Sequence, residues 1–358
     1  MTAPAVDLAA WRLHNQTLAG ADARSAADVV SRLGAVQAQD YPGAKWAIGL
    51  RASHLTDADV DLAFNNGELL RTHMMRPTWH FVTPADIRWM LGLTSPRVHA
   101  VNAFYYRQAG IDDRAAARAR TIVERALGRQ CLTRTELAAK FERAGLPSTG
   151  NPLAYIMMRL ELDQVVCSGP RRGKQFTYAL MDERVPQSEP RSKDDALGAI
   201  AMRYFASHGP ATARDLAWWS GLTQREVRRG IEIAGAGLSS IEFDGHRCWF
   251  AGNPVALRAT RSAHLLPNYD EYLIAHKDRG FIPRAVVPAP GQKPPRDLHP
   301  HHVIVNGRLA GSWRRLDSAT GADVDLYPGV PARHASLVKS AVARYRAFIE
   351  DGSGRGLS

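Results

Sequence analysis

Cysteine is scarce in this sequence, and no long apolar segment occurs in it. The three cysteines, Cys131, Cys167 and Cys248, lie far apart and form no C-x-x-C motif, so neither a disulfide framework nor a zinc finger is predicted. No run reaches the roughly 18 apolar residues that a membrane span requires. Asp7 and Arg12 interrupt the segment where a signal peptide needs an apolar core. These features predict a cytoplasmic protein with no membrane partner.

The familiar motifs of hydrolases and nucleotide-binding enzymes are also missing. The sequence has no G-x-S-x-G, no Walker loop, no H-E-x-x-H and no G-x-G-x-x-G after a strand, which excludes most hydrolases and nucleotide cofactors. One cluster, His299-Pro300-His301-His302, could be considered for metal binding. Three histidines in a proline-containing loop are more typical of a polar loop that faces DNA, so we predict no metal and no cofactor.

Positive charge is what the sequence has in excess. The 358 residues include 46 Lys and Arg against 35 Asp and Glu, a formal charge of +11, within an ordinary soluble composition of 45% hydrophobic residues. A surplus of this sign and size favours a polyanionic partner such as nucleic acid. The alternative is a basic surface that only interacts with solvent.

Two segments of the chain repeat a pattern. LTRTELAAKF at 132–141 and ATARDLAWWS at 211–220 share Thr, a basic residue, an acidic residue and Leu-Ala. Around each copy we predict three helices, the middle one capped by Thr133 or Thr212, followed by a β-hairpin. Three helices and a hairpin are the winged helix-turn-helix arrangement. The N-terminal portion has the same order, with helices over 8–18, 26–33 and 57–64 and then the strands LLRTHMM and TWHFVT.

The predicted fold class is therefore α+β, with three tandem winged-helix units that form a concave basic surface. A turn-rich tract at 286–300 leads to the hairpin VIVNGRLAGSW, whose Asn306-Gly307 pair is a strong turn signal. A helix at 335–349 follows, and the last eight residues read as a frayed tail. The predicted boundaries are 1–108, 109–188 and 189–255 for the three units, and 256–358 for the C-terminal extension.

Gln37 and Gln39 stand two residues apart where a helix ends and a loop begins, followed by Asp40, a turn at Tyr41-Pro42-Gly43, and Lys45. In extended backbone, residues i and i+2 point the same way, so the two amides can converge while Ala38 packs behind them. The alternative is that the amides cap the preceding helix and satisfy backbone groups.

Several stretches resemble one family, the winged-helix DNA glycosylases that include a bacterial enzyme giving self-resistance to azinomycin B. They are Gln37-Ala38-Gln39 with Asp40, RTHMMRPTWHFV at 71–82, HLLPNYDEYLIAHKDR at 264–279 and VNGRLAGSWRR at 305–315. The resemblance covers nearly the whole chain. The family's catalytic signature is Gln, an apolar residue, then Gln or Asp, and this chain matches the glutamine version found in the crosslink-resistance members.

The resemblance implies a monofunctional DNA glycosylase that hydrolyses the N-glycosidic bond of cationic N7- or N3-alkylpurines, including bulky adducts and interstrand crosslinks. A cationic base is a good leaving group, so oriented amides at Gln37 and Gln39 suffice to hold water and to stabilise the sugar cation. The expected partner is double-stranded DNA carrying alkylated purines, bound by a monomer. An open surface lets such an enzyme act without swinging a tethered base into a closed pocket.

The sequence also offers candidates for DNA contact. Asn306 and Arg308 at the hairpin tip are expected to probe the minor groove. The remaining candidates are basic or polar residues of the first unit and the histidine loop: Lys45, Arg71, Arg76, His80, His299 and His301. Two other interpretations stay open, a transcription regulator built from winged helices and a lyase that uses Lys45 as a Schiff-base nucleophile.

Overall fold

The computed structural model describes residues 7–20, 23–252, 261–278, 282–287, 296–316 and 321–350. In these ranges the chain forms fourteen α-helices, whose bounds are α1 Leu8–Asn15, α2 Ala26–Leu33, α3 Tyr41–Gly49, α4 Asp57–Asn66, α5 Pro84–Gln108, α6 Asp113–Leu127, α7 Arg134–Arg143, α8 Gly150–Leu162, α9 Met181–Arg184, α10 Lys193–Ser207, α11 Ala213–Ser220, α12 Gln224–Ala234, α13 Glu271–Ile274 and α14 Ala335–Glu350. The same ranges contain twelve strands, β1 Val36–Gln37, β2 Leu70–Met74, β3 Thr78–Val82, β4 Leu132–Thr133, β5 Val166–Ser168, β6 Thr177–Leu180, β7 Leu238–Phe243, β8 His246–Ala251, β9 Ala263–Leu266, β10 His301–Val305, β11 Arg308–Arg315 and β12 Ala322–Leu326.

The strands form four small sheets, with orders β1-β3-β2, β4-β6-β5, β7-β8 and β12-β11-β10-β9. The mixed α and β content agrees with the predicted class. In both repeated segments, three helices precede a strand pair as the sequence predicts: α6 to α8 before β5 and β6, and α10 to α12 before β7 and β8. The number of winged-helix units and the four domain boundaries stay predictions. The tract at 288–295 and the tail at 351–358 lie outside the described residues.

Local side-chain caps explain where the helices of the repeats begin. Thr133 and Thr212 each accept the backbone N–H of the residue three positions on, and the carboxylates of Glu136 and Asp215 bond back to the cap. This reciprocal capping box satisfies two backbone donors that a helix start otherwise leaves unpaired. Both predicted caps are confirmed.

The turn predicted at Tyr41-Pro42-Gly43 is wrong, because these residues form the first turn of α3. Proline lacks a backbone N–H, and it is tolerated in the first turn because the N–H groups there have no carbonyl partner within the helix. Gly43 is required there by a close approach, since a Cβ atom would lie 2.5 Å from Asp40 Oδ2 and 3.2 Å from Pro267 Cβ. The non-helical connection after β1 is therefore short, and Lys45 lies on a helix.

The hydrophobic core links distant parts of the chain. One cluster joins α1 to α4 with β9 to β11 and α14, and a second joins β2 and α5 with α10 to α12. A third holds α6 to α8 together. The first predicted unit thus shares its core with the C-terminal extension, and the strand β1 lies where the first two clusters meet, since Val36 belongs to one and Ala35 to the other. None of the helices in the described ranges is both long and apolar enough to cross a bilayer.

Candidate active site

Gln37 is the last residue of β1, and its backbone and side chain are both fixed. It lies opposite His80 in the antiparallel pairing of β1 with β3. Its N–H donates to Glu271 Oε1 at 2.9 Å, and its side-chain Oε1 accepts from Arg76 Nη2 at 3.0 Å. The residue is only 7% exposed. The amide is therefore held in one orientation at the edge of the protein surface.

Gln39 is exposed and more loosely held. Its Oε1 accepts the backbone N–H of Trp79 at a long 3.5 Å. Between the two glutamines, Ala38 is fully buried and donates its N–H to the Trp79 carbonyl at 2.7 Å, which confirms its predicted packing. Both amide oxygens thus accept from the hairpin of β2 and β3. Neither amide bonds to α2 within the described residues, so the helix-capping part of the alternative is not observed, whereas the Gln39 amide does accept a backbone N–H, that of Trp79.

A buried carboxylate that sequence reasoning missed supports this strand from behind. Glu271, at the start of α13, is 1% exposed and accepts both the Gln37 N–H and the Trp219 Nε1–H, each at 2.9 Å. His208 Nε2 lies 3.6 Å from its Oε2. Burial raises the pKa of Glu271, but the His208 ring and the Gln37 N–H together outweigh burial and lower it below the ordinary value. The side chain is therefore a carboxylate at neutral pH.

The only sequence signal for Glu271 was its place in the stretch 264–279, which carries part of the family resemblance. Nothing local marks it as a partner of Gln37, because the two residues are 234 positions apart. A contact of that separation is formed by tertiary packing rather than by any short-range pattern.

Two arginines with aromatic neighbours lie beside the glutamines. Arg71 donates from Nε to the Ala38 carbonyl at 3.0 Å, and its guanidinium lies 4.3 Å from the centre of the Trp79 ring. Arg76, which holds the Gln37 amide, lies 5.2 Å from the centre of a Trp218 ring. Both arginines were predicted to contact DNA, and both lie at the surface next to the glutamine pair.

Each arginine also lines a surface cavity. The Trp218 cavity, of about 390 Å³, lies between the turn after β2, α5 and α11, and its charged lining residues are Arg76, Arg97, Arg214 and Lys277. The Trp79 cavity, of about 410 Å³, lies beside Gln39, and its charged lining residues are Arg71, Arg134 and Lys174. Neither cavity is lined by an Asp or a Glu. Gln37 thus contacts a lining residue of one basic, carboxylate-free cavity, Arg76, and Gln39 contacts a lining residue of the other, Trp79.

Asp40, the residue after Gln39, is paired with the C-terminal sheet. Its carboxylate lies 3.4 Å from Arg315 Nη2, at the end of β11, and next to Gly43. The charge of this carboxylate is therefore balanced by an arginine of that sheet.

The predicted DNA contact of Lys45 does not fit its position. Lys45 is 4% exposed, and its Nζ donates to Asp57 at 2.6 Å and to Asp61 at 2.8 Å. A buried side chain that donates to two carboxylates is committed to them, so neither a phosphate nor a substrate can approach its amine. Its role is to join α3 to α4.

Two predicted histidines are also in the interior. His80 is 1% exposed, and burial together with Arg76 lowers its pKa to about 4. His301 is 6% exposed, accepts the Asn268 N–H at its Nδ1, and packs against Trp313. Neutral buried rings are unsuited to the phosphate contacts predicted for them.

His299 is partly exposed, and its Nε2 lies 3.5 Å from Asp323. His301 and His302 belong to strand β10 rather than to the predicted loop, and His302 Nδ1 lies 3.8 Å from Asp297. Within the described residues, no three His, Cys, Asp or Glu side chains converge as a metal-ion site. Independence from metal stays a prediction.

The hairpin turn at Asn306-Gly307 is confirmed, with both residues at positive φ (51° and 76°), as its sequence demands. It is not a free tip, however. A Cβ atom on Gly307 would lie 2.9 Å from Ala9 of α1, and the Gly307 carbonyl accepts the Tyr272 hydroxyl. Asn306 accepts the Ser262 N–H. Insertion of this turn into a groove does not fit such packing, whereas the neighbouring Arg308 is exposed.

Comparison with known proteins agrees with the resemblance seen in the sequence. The interstrand DNA cross-link repair glycosylase of Streptomyces sahachiroi is 25% identical over 343 residues, which cover 86% of this chain and 87% of that protein. The solved structure of the Streptomyces sahachiroi DNA glycosylase AlkZ shares the fold, with a TM-score of 0.75, 23% identity and 97% of each chain covered. The family model described as DNA glycosylase AlkZ-like matches residues 30–348. Because this match spans most of the sequence, the chain belongs to the AlkZ-like family of DNA glycosylases.

Proposed function

We propose that this protein hydrolyses the N-glycosidic bond of cationic N7- or N3-alkylpurines in double-stranded DNA, including bulky adducts and interstrand crosslinks. It does so as a monofunctional, cofactor-independent monomer, and would confer resistance to a DNA-alkylating natural product. The observation that carries the proposal is the glutamine pair, which contacts residues that line two basic cavities. The activity of the Streptomyces sahachiroi relative, interstrand cross-link repair, supports the same substrate class.

The charge of the substrate explains why amides are enough. Alkylation at N7 or N3 makes the purine cationic, so the bond to C1′ weakens without an acid. The enzyme then has to place a water against C1′ and stabilise positive charge on the sugar, and fixed amide dipoles do both. Gln37, anchored by Arg76 and Glu271, is the rigid member of the pair, and the exposed Gln39 is the adaptable one.

The nearby charged groups support a role for the amides rather than for a carboxylate or an amine. Asp40, the closest carboxylate in sequence, is paired with Arg315 of the C-terminal sheet. Lys45 is paired with two carboxylates, which argues against a lyase that forms a Schiff base. Membership in a glycosylase family argues against the regulator alternative.

The proposed DNA-binding face follows the two cavities. Arg71, Arg76 and the other cations of the cavities supply phosphate contacts on both sides of the glutamines, without carboxylates to repel a backbone. The open shape suits a crosslinked base, which cannot be swung into a closed pocket. We retain Arg308 as a DNA contact because it is exposed at the end of its hairpin. We also keep His299 in the proposal, as a partly exposed residue just before β10 of the same sheet.

Single-turnover release of free base from a duplex containing N7-alkylguanine tests the proposal. Gln37→Ala and Gln39→Ala should each lower the rate about a hundredfold, the usual cost of one positioned electrostatic contact, with DNA affinity nearly unchanged. Because both amides act on one centre, the double variant should lose less than the product of the two effects. Gln130→Ala removes an amide in the second predicted unit and is the matched control. Ala variants that lose about 1 to 2 kcal/mol of stability but release base normally would remove the glutamines from the active site.

A further inference from the structure

The Trp218 cavity contains more than a phosphate contact requires. Its walls are apolar, formed by Met75, Val98, Ala217 and Leu222, and Val101 on α5 is 53% exposed at its edge. Cations surround these walls. A depression that combines an apolar interior with a cationic border fits a ligand that has a flat apolar part and negative charges beside it.

The cations of this cavity are available to a ligand. Arg97, Arg214 and Lys277 are exposed, and none of them forms an ion pair within the part of the chain that the structure describes. Carboxylates occur only in the adjoining cavities, where Arg97 shares a lining with Glu189 and Glu226, and Arg214 and Lys277 share one with Asp215 and Asp278. Three cations without an ion pair around one opening that no carboxylate lines favour a polyphosphate backbone.

Trp218 supplies a fixed aromatic face. It is 42% exposed, although the adjacent Trp219 is 1% exposed. Its Nε1–H donates to the Ile274 carbonyl at 3.1 Å, which orients the ring, and the Arg76 guanidinium lies 5.2 Å from the ring centre. An indole held at the surface beside a cation is the usual platform on which an unstacked base lies.

We propose that the Trp218 cavity binds an unpaired nucleotide of the DNA next to the lesion, with its base on Trp218 and its phosphates on Arg97, Arg214 and Lys277. Paired bases are already stacked on their neighbours, so a paired duplex would use only the cations and leave the indole and the apolar walls empty. Arg76 joins this subsite to the catalytic pair, because it contacts both Trp218 and the Gln37 amide. The proposal rests on DNA as the substrate, and it adds that the enzyme holds a locally opened strand.

Binding of a fluorescent oligothymidylate to the full-length protein tests this subsite. Trp218→Leu should weaken binding about tenfold or more, since base stacking on an aromatic residue contributes on that order, whereas Trp218→Phe should stay within about threefold of the wild type. Affinity for an undamaged, fully paired duplex should change less than about twofold in either variant. Phe104→Leu, which removes a 55% exposed aromatic of α5 that does not line the cavity, is the control.

A charge variant provides an independent measurement. The double substitution Arg97→Gln and Arg214→Gln should make the slope of log affinity against log salt shallower by about 1.4 for the single strand, at roughly 0.7 per lost phosphate contact. Unchanged slope, or unchanged binding by Trp218→Leu, would overturn the proposal. Equal losses of affinity in Trp218→Phe and Trp218→Leu would also overturn it, because they would assign the effect to the Ile274 hydrogen bond. Full competition by equimolar thymidine monophosphate would overturn it too, because it would indicate a site for a free nucleotide. Base release is measured separately, so failure of the subsite and failure of the glycosylase proposal give different results.

Discussion

Glu271→Gln isolates the contribution of the buried carboxylate to the active site. The wild-type side chain accepts two N–H groups, from Gln37 and Trp219, each at 2.9 Å. A glutamine at this position has one acceptor oxygen and one NH2 group, so one of the two donors must face another donor. An unsatisfied buried donor costs about 1 to 3 kcal/mol, which is the expected loss in free energy of unfolding.

The catalytic effect should be larger than the effect on stability suggests. If the amide oxygen stays with the indole, the NH2 group is placed against the Gln37 N–H and displaces β1. A displacement of about 1 Å at a reacting centre can cost roughly a hundredfold in rate, so we expect single-turnover base release to fall tens- to a hundredfold. Affinity for undamaged DNA should be nearly unchanged, because Glu271 is buried.

The matched control is Asp86→Asn. Asp86 is 3% exposed, accepts the Trp89 indole N–H at 2.9 Å and pairs with Arg203, so it resembles Glu271 in burial and partners but does not contact Gln37. It should lose similar stability while releasing base normally, in assays run well below both melting temperatures. Wild-type base release by Glu271→Gln, with the stability loss present, would refute the positioning role.

The remaining predictions concern specificity, salt and pH. Gln39→Asp should keep or raise release of simple N7-methylguanine, because a carboxylate can act as a base toward water, and should reduce crosslink unhooking; an inactive variant would contradict this reasoning. Binding to undamaged duplex should weaken steeply with salt as counterion release demands, and a flat plot of log affinity against log salt would remove the electrostatic part of the proposal. Burial lowers the pKa of His80 to about 4, that of His264 to about 3 and that of His276 well below 6.5. These rings therefore stay neutral in the folded protein, whereas the same histidines in the unfolded chain gain protons below pH 6.5. The free energy of unfolding should therefore have its full value above pH 6.5 and fall toward pH 4, with each histidine contributing up to roughly 1.4 kcal/mol of loss per pH unit. Denaturant titrations that show no loss of stability in this range would disprove the prediction.

Features that depend on neighbours along the chain were predictable from the sequence. The caps at Thr133 and Thr212 need only a carboxylate three residues on, and the turn at Asn306-Gly307 needs only residues that accept positive φ. That Gln37 and Gln39 lie outside a helix likewise followed from their place at the end of α2. The glutamine pair itself became a candidate through the family resemblance.

Features that depend on distant partners could not be predicted. Whether Lys45 contacts DNA is decided by Asp57 and Asp61, which only the packing of α3 on α4 brings to it. Whether the turn at Asn306-Gly307 can enter a groove is decided by α1, some 300 positions away. The start of α3 was misread for another reason, since Pro-Gly is common both in turns and in the first turn of a helix.

The distance in sequence between Gln37 and its supports has a consequence for protein synthesis. The strand that carries Gln37 is translated early, but Glu271 follows 234 positions later, and the core cluster that holds α3 also requires Tyr345 and Phe348 from α14. At about 5 to 20 residues per second, the ribosome needs on the order of 15 to 60 s to deliver those last contacts. If the glutamines act as proposed, a nascent or prematurely terminated chain carries them without the geometry that this role requires, and base release is expected only once translation of the C-terminal sheet and helix is complete.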